Sequence, residues 1–127
     1  MAPASPEHRT KLAVLGERAA EEELRRRGYR IRARNYRCRR GEADLVAQDG
    51  DDLVFVEVKT RAGFDYGLPQ DAVGWTKQQR LGQAAAHYCH RYQIEDRPVR
   101  FDVVEVIVLR GEVAAVEVIR DAFTPEV

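Results

Sequence analysis

The stretch "GEADLVAQDGDDLVFVEVKT", residues 41–60, decides the fold. Residues 42–48 and 53–60 are rich in Ala, Val, Leu and Phe around "DGDD", a turn composition, so they predict two strands joined as an antiparallel hairpin. A loop of two residues (50–51) or of four (49–52) sets the same register, in which paired positions sum to 101, Asp44 faces Glu57 and Glu42 faces Lys59. Side chains two apart share a strand face, so Asp44 goes with Glu42, and Glu57 with Lys59. Opposed Cβ atoms lie only about 5 Å apart, and like charges facing each other there are destabilising. The Asp44/Glu57 pair therefore needs compensation.

A divalent cation such as Mg2+ or Mn2+ supplies it, because hard ions take carboxylate and carbonyl oxygens and keep several waters. Lys59 beside it adds a compact positive charge for a phosphate oxygen or a bound water. Two acids, a lysine and a metal suit phosphodiester hydrolysis, in which charge builds up on the scissile phosphate. The plainer alternative is a set of solvent-facing charges on an amphipathic hairpin, with Glu42 and Lys59 as a surface pair. Leu53 and Phe55, which make one end of the Glu57/Lys59 face apolar, weigh against it.

Outward from the hairpin, Ser5, Pro6 and Glu7 mark a helix start, Leu12, Leu15, Ala19, Ala20 and Leu24 form its apolar stripe, and Gly28 ends it. From Tyr29 to Tyr36 the chain alternates, which predicts a strand with Arg30, Arg32 and Arg34 on one face. Residues 61–75 hold three glycines and a proline and read as a loop. Thr76 and Gln79 fit a capping box before a second helix that runs to about residue 93. "RFDVVEVIVL" and "EVAAVEVI", joined at Arg110 and Gly111, predict a second hairpin. The order is helix, three strands, helix, two strands. The helix between strands three and four permits a parallel crossover, so the expected class is α/β, a mixed sheet of about five strands flanked by helices.

The 127 residues suit one domain, with residues 1–10 and 121–127 as loose termini. No apolar run is long enough to span a bilayer, and the first residues lack the order of a secretion signal, so a cytoplasmic protein with no membrane partner is expected. Cys38 and Cys89 form no CxxC pair, and His8, His87 and His90 no ligand set, so neither zinc nor redox chemistry is indicated. The formal charge is zero, from 21 basic and 21 acidic residues, yet nine arginines and no acid lie between Arg25 and Arg40.

Asp44 followed after twelve residues by "EVK" at 57–59 resembles the PD-(D/E)xK nuclease signature, with Ala43 where its name has proline. "NYRCRRGEADLVAQDGDDLVFVEVKTR", "KQQR" at the start of the second helix and "RFDVV" resemble the YraN family of small bacterial proteins. That family's fold is similar to archaeal Holliday-junction resolvases. The resemblance runs from Gly16 to about Val106. It implies a restriction-endonuclease-like fold, Asp44 and Glu57 as metal ligands and Lys59 as the catalytic lysine. Glu17, similar to the resolvases' helical glutamate, is by the same resemblance a further metal or water ligand; the alternative is a solvated helix acid. A homodimer follows by analogy, since two strands of a junction need two cuts.

Around these residues, Arg30, Arg32, Arg34, Arg37, Arg39 and Arg40 are candidates for phosphate contacts, as are Arg61, Lys77 and Arg80. Such contacts give affinity without sequence readout; a solvated basic strand is the alternative. Phe64, Tyr66 and Trp75 are candidates for base stacking or for pinning the loop to the core. Asp102, between Phe101 and Val103, reads as a strand acid with a structural partner. The expected function is a metal-dependent, structure-selective DNA endonuclease acting at branched or junction DNA. The alternatives are a nucleic-acid-binding module without turnover and an interaction scaffold whose basic region meets an acidic partner.

Overall fold

The computed structural model describes residues 11–63 and 73–125. The first helix, α1, spans Lys11–Arg26, and its predicted start at residues 5–7 lies outside the described residues. It ends as its sequence requires: Gly28 takes φ 93°, Tyr29 N–H donates to Leu24 O and Gly28 N–H to Arg25 O. This paired closure satisfies carbonyls that a helix terminus otherwise leaves open.

After α1 the chain runs through β1 Arg30–Cys38, β2 Gly41–Asp49, β3 Asp52–Ala62, α2 Trp75–Arg91, β4 Val99–Leu109 and β5 Glu112–Ile119. They form one sheet in the order β1-β2-β3-β4-β5, antiparallel except where β4 lies parallel to β3. The crossover between those two contains α2. The expected mixed α/β architecture and element order are both present.

Each face of the sheet carries one helix. Ala20 and Leu24 of α1 pack on Leu45, Ala47, Val54, Val56, Val104 and Val106. Leu81, Ala84, Ala85 and Tyr88 of α2 pack on Val46, Leu53, Phe55 and Phe101. Successive residues of β3 thus serve opposite cores, which is why "LVFV" is apolar without a gap. A fully buried side chain of this size stabilises by roughly 1.5–3 kcal/mol.

Three local expectations change. Arg32 is a bulge: Ile31 pairs with Ala47 but Ala33 with Val46, so the strand's parity inverts there. Arg30 and Arg32 therefore share the α2 side while Arg34 turns to α1, and the single arginine face does not exist. Arg32 Nε donates to Tyr88 Oη at 3.1 Å, whereas Arg34 clasps Glu21 with 2.6 and 2.7 Å bonds. Second, α2 begins at Trp75 with Gly74 as its N-cap and no side-chain cap bond, so Thr76 and Gln79 make no capping box. Gln78 Nε2 instead donates to Val73 O. Third, the segment after β5 is anchored at Ala122, whose N–H donates to Phe101 O, and at Phe123, whose ring stacks on Phe101.

Candidate active site

The hairpin follows the expected register from Asp49 opposite Asp52 to Leu45 opposite Val56 across a two-residue turn, but the expected Asp44/Glu57 and Glu42/Lys59 pairs are not made in the ladder. Gly50 supplies that turn's positive φ of 60°. The ladder stops at Leu45 and Val56. Beyond them β2 stays paired with β1 as far as Gly41, and β3 stays paired with β4 as far as Ala62. The two halves of the sheet part at Asp44 and Glu57. A strand separated from its neighbour has backbone groups to satisfy, and Asp44 does this with its side chain: Oδ2 accepts from Val58 N–H at 2.7 Å. Across β2, the register leaves Asn35 opposite Asp44, and Asn35 takes φ 50°.

The opening is a cleft of about 290 Å³ lined by Leu12, Ala13, Glu17, Asp44, Glu57, Val58, Lys59, Thr60 and Lys77. It brings Asp44, Glu57, Lys59 and Glu17 together. A second hollow of about 240 Å³ shares Glu17 and Asp44 and continues along α1 to Arg18, Glu21 and Arg34. Two glycines set the helices this close. A Cβ on Gly16 would overlap Thr60 Oγ1 of β3, and one on Gly41 would lie 2.6 Å from Ala84 N of α2. Gly16 thereby seats its neighbour Glu17 over the parted strands. The sequence carried a signal for this, since an isolated glycine within a helix costs about 1 kcal/mol against alanine and implies a packing reason.

Glu57 is only 7% exposed, and burial together with the charge of Asp44 pushes its carboxyl up to about 7 from the ordinary 4.5. Lys77 opposes that rise: its Nζ donates to Glu57 Oε1 at 3.1 Å. Burial pulls the Lys77 ammonium down, but the Glu57 and Asp44 charges outweigh this and leave it raised. Lys59 lines the same cleft and makes no ion pair among the described residues. Glu42 does not oppose Lys59. It pairs in register with Arg37, which lies 3.8 Å away, and Arg80 approaches it to 3.6 Å.

The arginines expected to meet phosphate divide. Arg39 and Arg40 occupy the exposed β1–β2 turn, and Arg30 is exposed at the start of the edge strand. Arg34 is bound by Glu21, whose carboxyl the guanidinium holds below its usual range. The Arg61 side chain is 13% exposed and pairs with Glu105 at 3.3 Å, so it presents little charge to solvent. Of the three aromatics, Phe64 and Tyr66 lie outside the described residues, and Trp75, 68% exposed, opens α2.

Asp102 has the structural partners its strand position implied. Fully buried, it accepts from Tyr29 Oη at 2.8 Å, Arg100 Nε at 2.9 Å and Asp121 N–H at 2.9 Å. Arg100 extends the network to Asp49 and Asp52 at the hairpin turn. Burial and the neighbouring Asp102 push the Tyr29 hydroxyl up to about 12, so it remains a donor.

The donor set suits a hard cation. Among the described residues no group of three or more His, Cys, Asp or Glu side chains forms a cage, but magnesium is commonly held by one or two carboxylates with water and substrate phosphates. The mutual charge of Asp44 and Glu57 is what such an ion would relieve. Among the described residues no helix is long and apolar enough to cross a membrane.

A family model described as uncharacterised protein family UPF0102 matches residues 16–106. A UPF0102 protein of Syntrophus aciditrophicus is 49% identical over 109 residues, 86% of this chain and 85% of the relative. One from Symbiobacterium thermophilum is 59% identical over 96 residues, 76% and 81% of the two chains, and one from Moorella thermoacetica is 47% identical over 116 residues, 91% and 97%. The matched region runs from the glycine that seats α1, through the parted strands and α2, into β4. The chain belongs to the uncharacterised protein family UPF0102, the YraN family.

Proposed function

We propose that this protein is a metal-dependent, structure-selective DNA endonuclease that hydrolyses phosphodiester bonds at branched DNA. The observation that carries the reading is the parting of β2 and β3, which gathers Asp44, Glu57, Lys59 and Glu17 in one cleft instead of closing the ladder over them. Asp44 and Glu57 would hold Mg2+ or Mn2+, with Glu17 as a further ligand to the metal or its water. The bound ion would lower the pKa of an attacking water and offset charge on the phosphate. Asp44 is fixed for this by Val58 N–H, so ordering it costs little at the moment of binding. Lys59 holds a phosphate oxygen or orients the water with its ammonium. Leu12, Ala13 and Val58 supply the apolar part of the cleft's wall beside these charges. Arg39 and Arg40 extend the positive surface for the DNA backbone beyond the cleft.

The test is incubation with branched, flapped, single-stranded and duplex DNAs plus Mg2+ or Mn2+, beside Asp44→Asn and Lys59→Ala. Cleavage lost in both variants supports the assignment, and cleavage persisting in both would falsify it. One observation favours a second reading, a DNA-binding module without turnover: the Lys77 ammonium already occupies an oxygen of Glu57 that a metal would need. Salt-sensitive binding with no cleavage under any metal would select that reading.

A further inference from the structure

Lys77 stands in the first turn of α2, and its side chain is about half exposed while the Glu57 side chain it meets is nearly buried. Its ammonium therefore reaches inward from the rim to a carboxylate that no longer has water to solvate it. The metal-free cleft thus holds one positive charge on the ligand that an incoming cation needs. A single donor bond at 3.1 Å, carried on a flexible four-carbon stem in a half-exposed side chain, is easily exchanged. Lys59 does not play this part, since it makes no ion pair with Glu57.

We propose that Lys77 is a resident cation that occupies Glu57 in the metal-free protein, yields it when a divalent ion enters, and then turns to a DNA phosphate at the mouth of the cleft. The inference rests on the metal-site reading above and adds an exchange to it. A divalent ion must displace Lys77, so affinity for the metal alone is lowered. The vacated ammonium, next to a site now filled by positive charge, is repelled from it and seeks an anion. DNA supplies that anion, so metal and DNA bind with positive coupling that passes through this one side chain.

Calorimetric titration with Mn2+ alone, on wild type, Lys77→Met, Lys77→Arg and Glu57→Gln, tests the exchange. Lys77→Met is expected to bind Mn2+ about tenfold more tightly, which corresponds to about 1.4 kcal/mol. Lys77→Arg should bind no more tightly than wild type, because the guanidinium also occupies Glu57. In metal, Lys77→Met should hold a branched DNA more weakly than wild type does. A Lys77 that only packs would weaken both ligands together or neither, and one acting as a fixed charge would keep its Glu57 contact in a crystal soaked in Mn2+, whereas exchange breaks that contact. Mn2+ binding that is lost in Glu57→Gln but equal in wild type and Lys77→Met overturns the exchange and leaves the metal site standing. Absence of Mn2+ binding in every variant overturns both. Circular dichroism melts of each variant establish that the comparison is between folded proteins, and Lys77→Gln, which also removes the charge, stands in should Lys77→Met not fold.

Discussion

Glu57→Gln in metal-free buffer should stabilise the protein at high pH and leave it unchanged at low pH. The carboxyl of Glu57 stands at about 7 in the fold against an ordinary 4.5. Between those values the folded protein holds a proton that the unfolded chain has released. Its contribution is therefore fully present below pH 4.5 and is lost as pH rises through 7. At about 1.4 kcal/mol per tenfold change in proton affinity, the full loss has an upper bound of roughly 3 kcal/mol. Glutamine matches the neutral carboxyl in shape and never ionises, so it escapes the loss. For a domain of this size 1 kcal/mol moves the melting temperature by about 4 °C, so the variant should melt with wild type near pH 4.5 and roughly 10 °C above it near pH 8.5. Thermal melts in EDTA across that range measure the difference directly; groups remote from Glu57 cancel between the two proteins, whereas Asp44 and Lys77, which share its charge, contribute to the difference. A difference that stays constant with pH refutes the burial argument. A variant less stable than wild type at pH 8.5 would mean that the Lys77 bond outweighs burial and the Asp44 charge.

Three further outcomes are expected. Gly16→Ala must lift α1 from Thr60, which should cost roughly 1–3 kcal/mol in urea unfolding and disturb Glu17 with it. Arg100→Met leaves the buried Asp102 without its guanidinium and should cost about 3–5 kcal/mol by the same measurement, far more than a surface ion pair such as Arg26 with Glu23. For DNA, replacing Arg39 and Arg40 together should reduce the slope of log affinity against log salt by about two, whereas Arg34→Ala should barely change it. Equal effects of the two changes would show that Glu21 does not retain Arg34 when DNA is present.

Where local pattern and tertiary packing agree, the sequence was legible. The hairpin register followed from turn length, and the crossover from a helix between two apolar strands; both are short-range consequences of periodicity. The exact contacts of the site were less legible because they arise where periodicity fails. Period-two reasoning put Arg30, Arg32 and Arg34 on one face, and a single bulge at Arg32 separates the last from the others. The same reasoning opposed Glu42 to Lys59, but β2 keeps its partner on one side while β3 keeps its partner on the other. No property of the hairpin alone announces that its ladder ends at Leu45 and Val56.

That ending connects the fold to the proposed chemistry. A closed ladder at Asp44 and Glu57 would set two carboxylates directly opposite each other, which is destabilising. Opening it instead leaves Val58 N–H without a strand partner, which is costly unless something else accepts from it. Asp44 accepts, so one carboxylate is spent on holding the gap open at the same point where its charge is needed. Gly16 and Gly41 then bring a helix against each side of the gap, and with them Glu17 from α1 and Lys77 from α2. Asp44 is thus both a strand terminator and a candidate ligand. A substitution there is expected to alter the cleft's shape as well as its charge, which makes Glu57→Gln, not Asp44→Asn, the cleaner probe of metal binding.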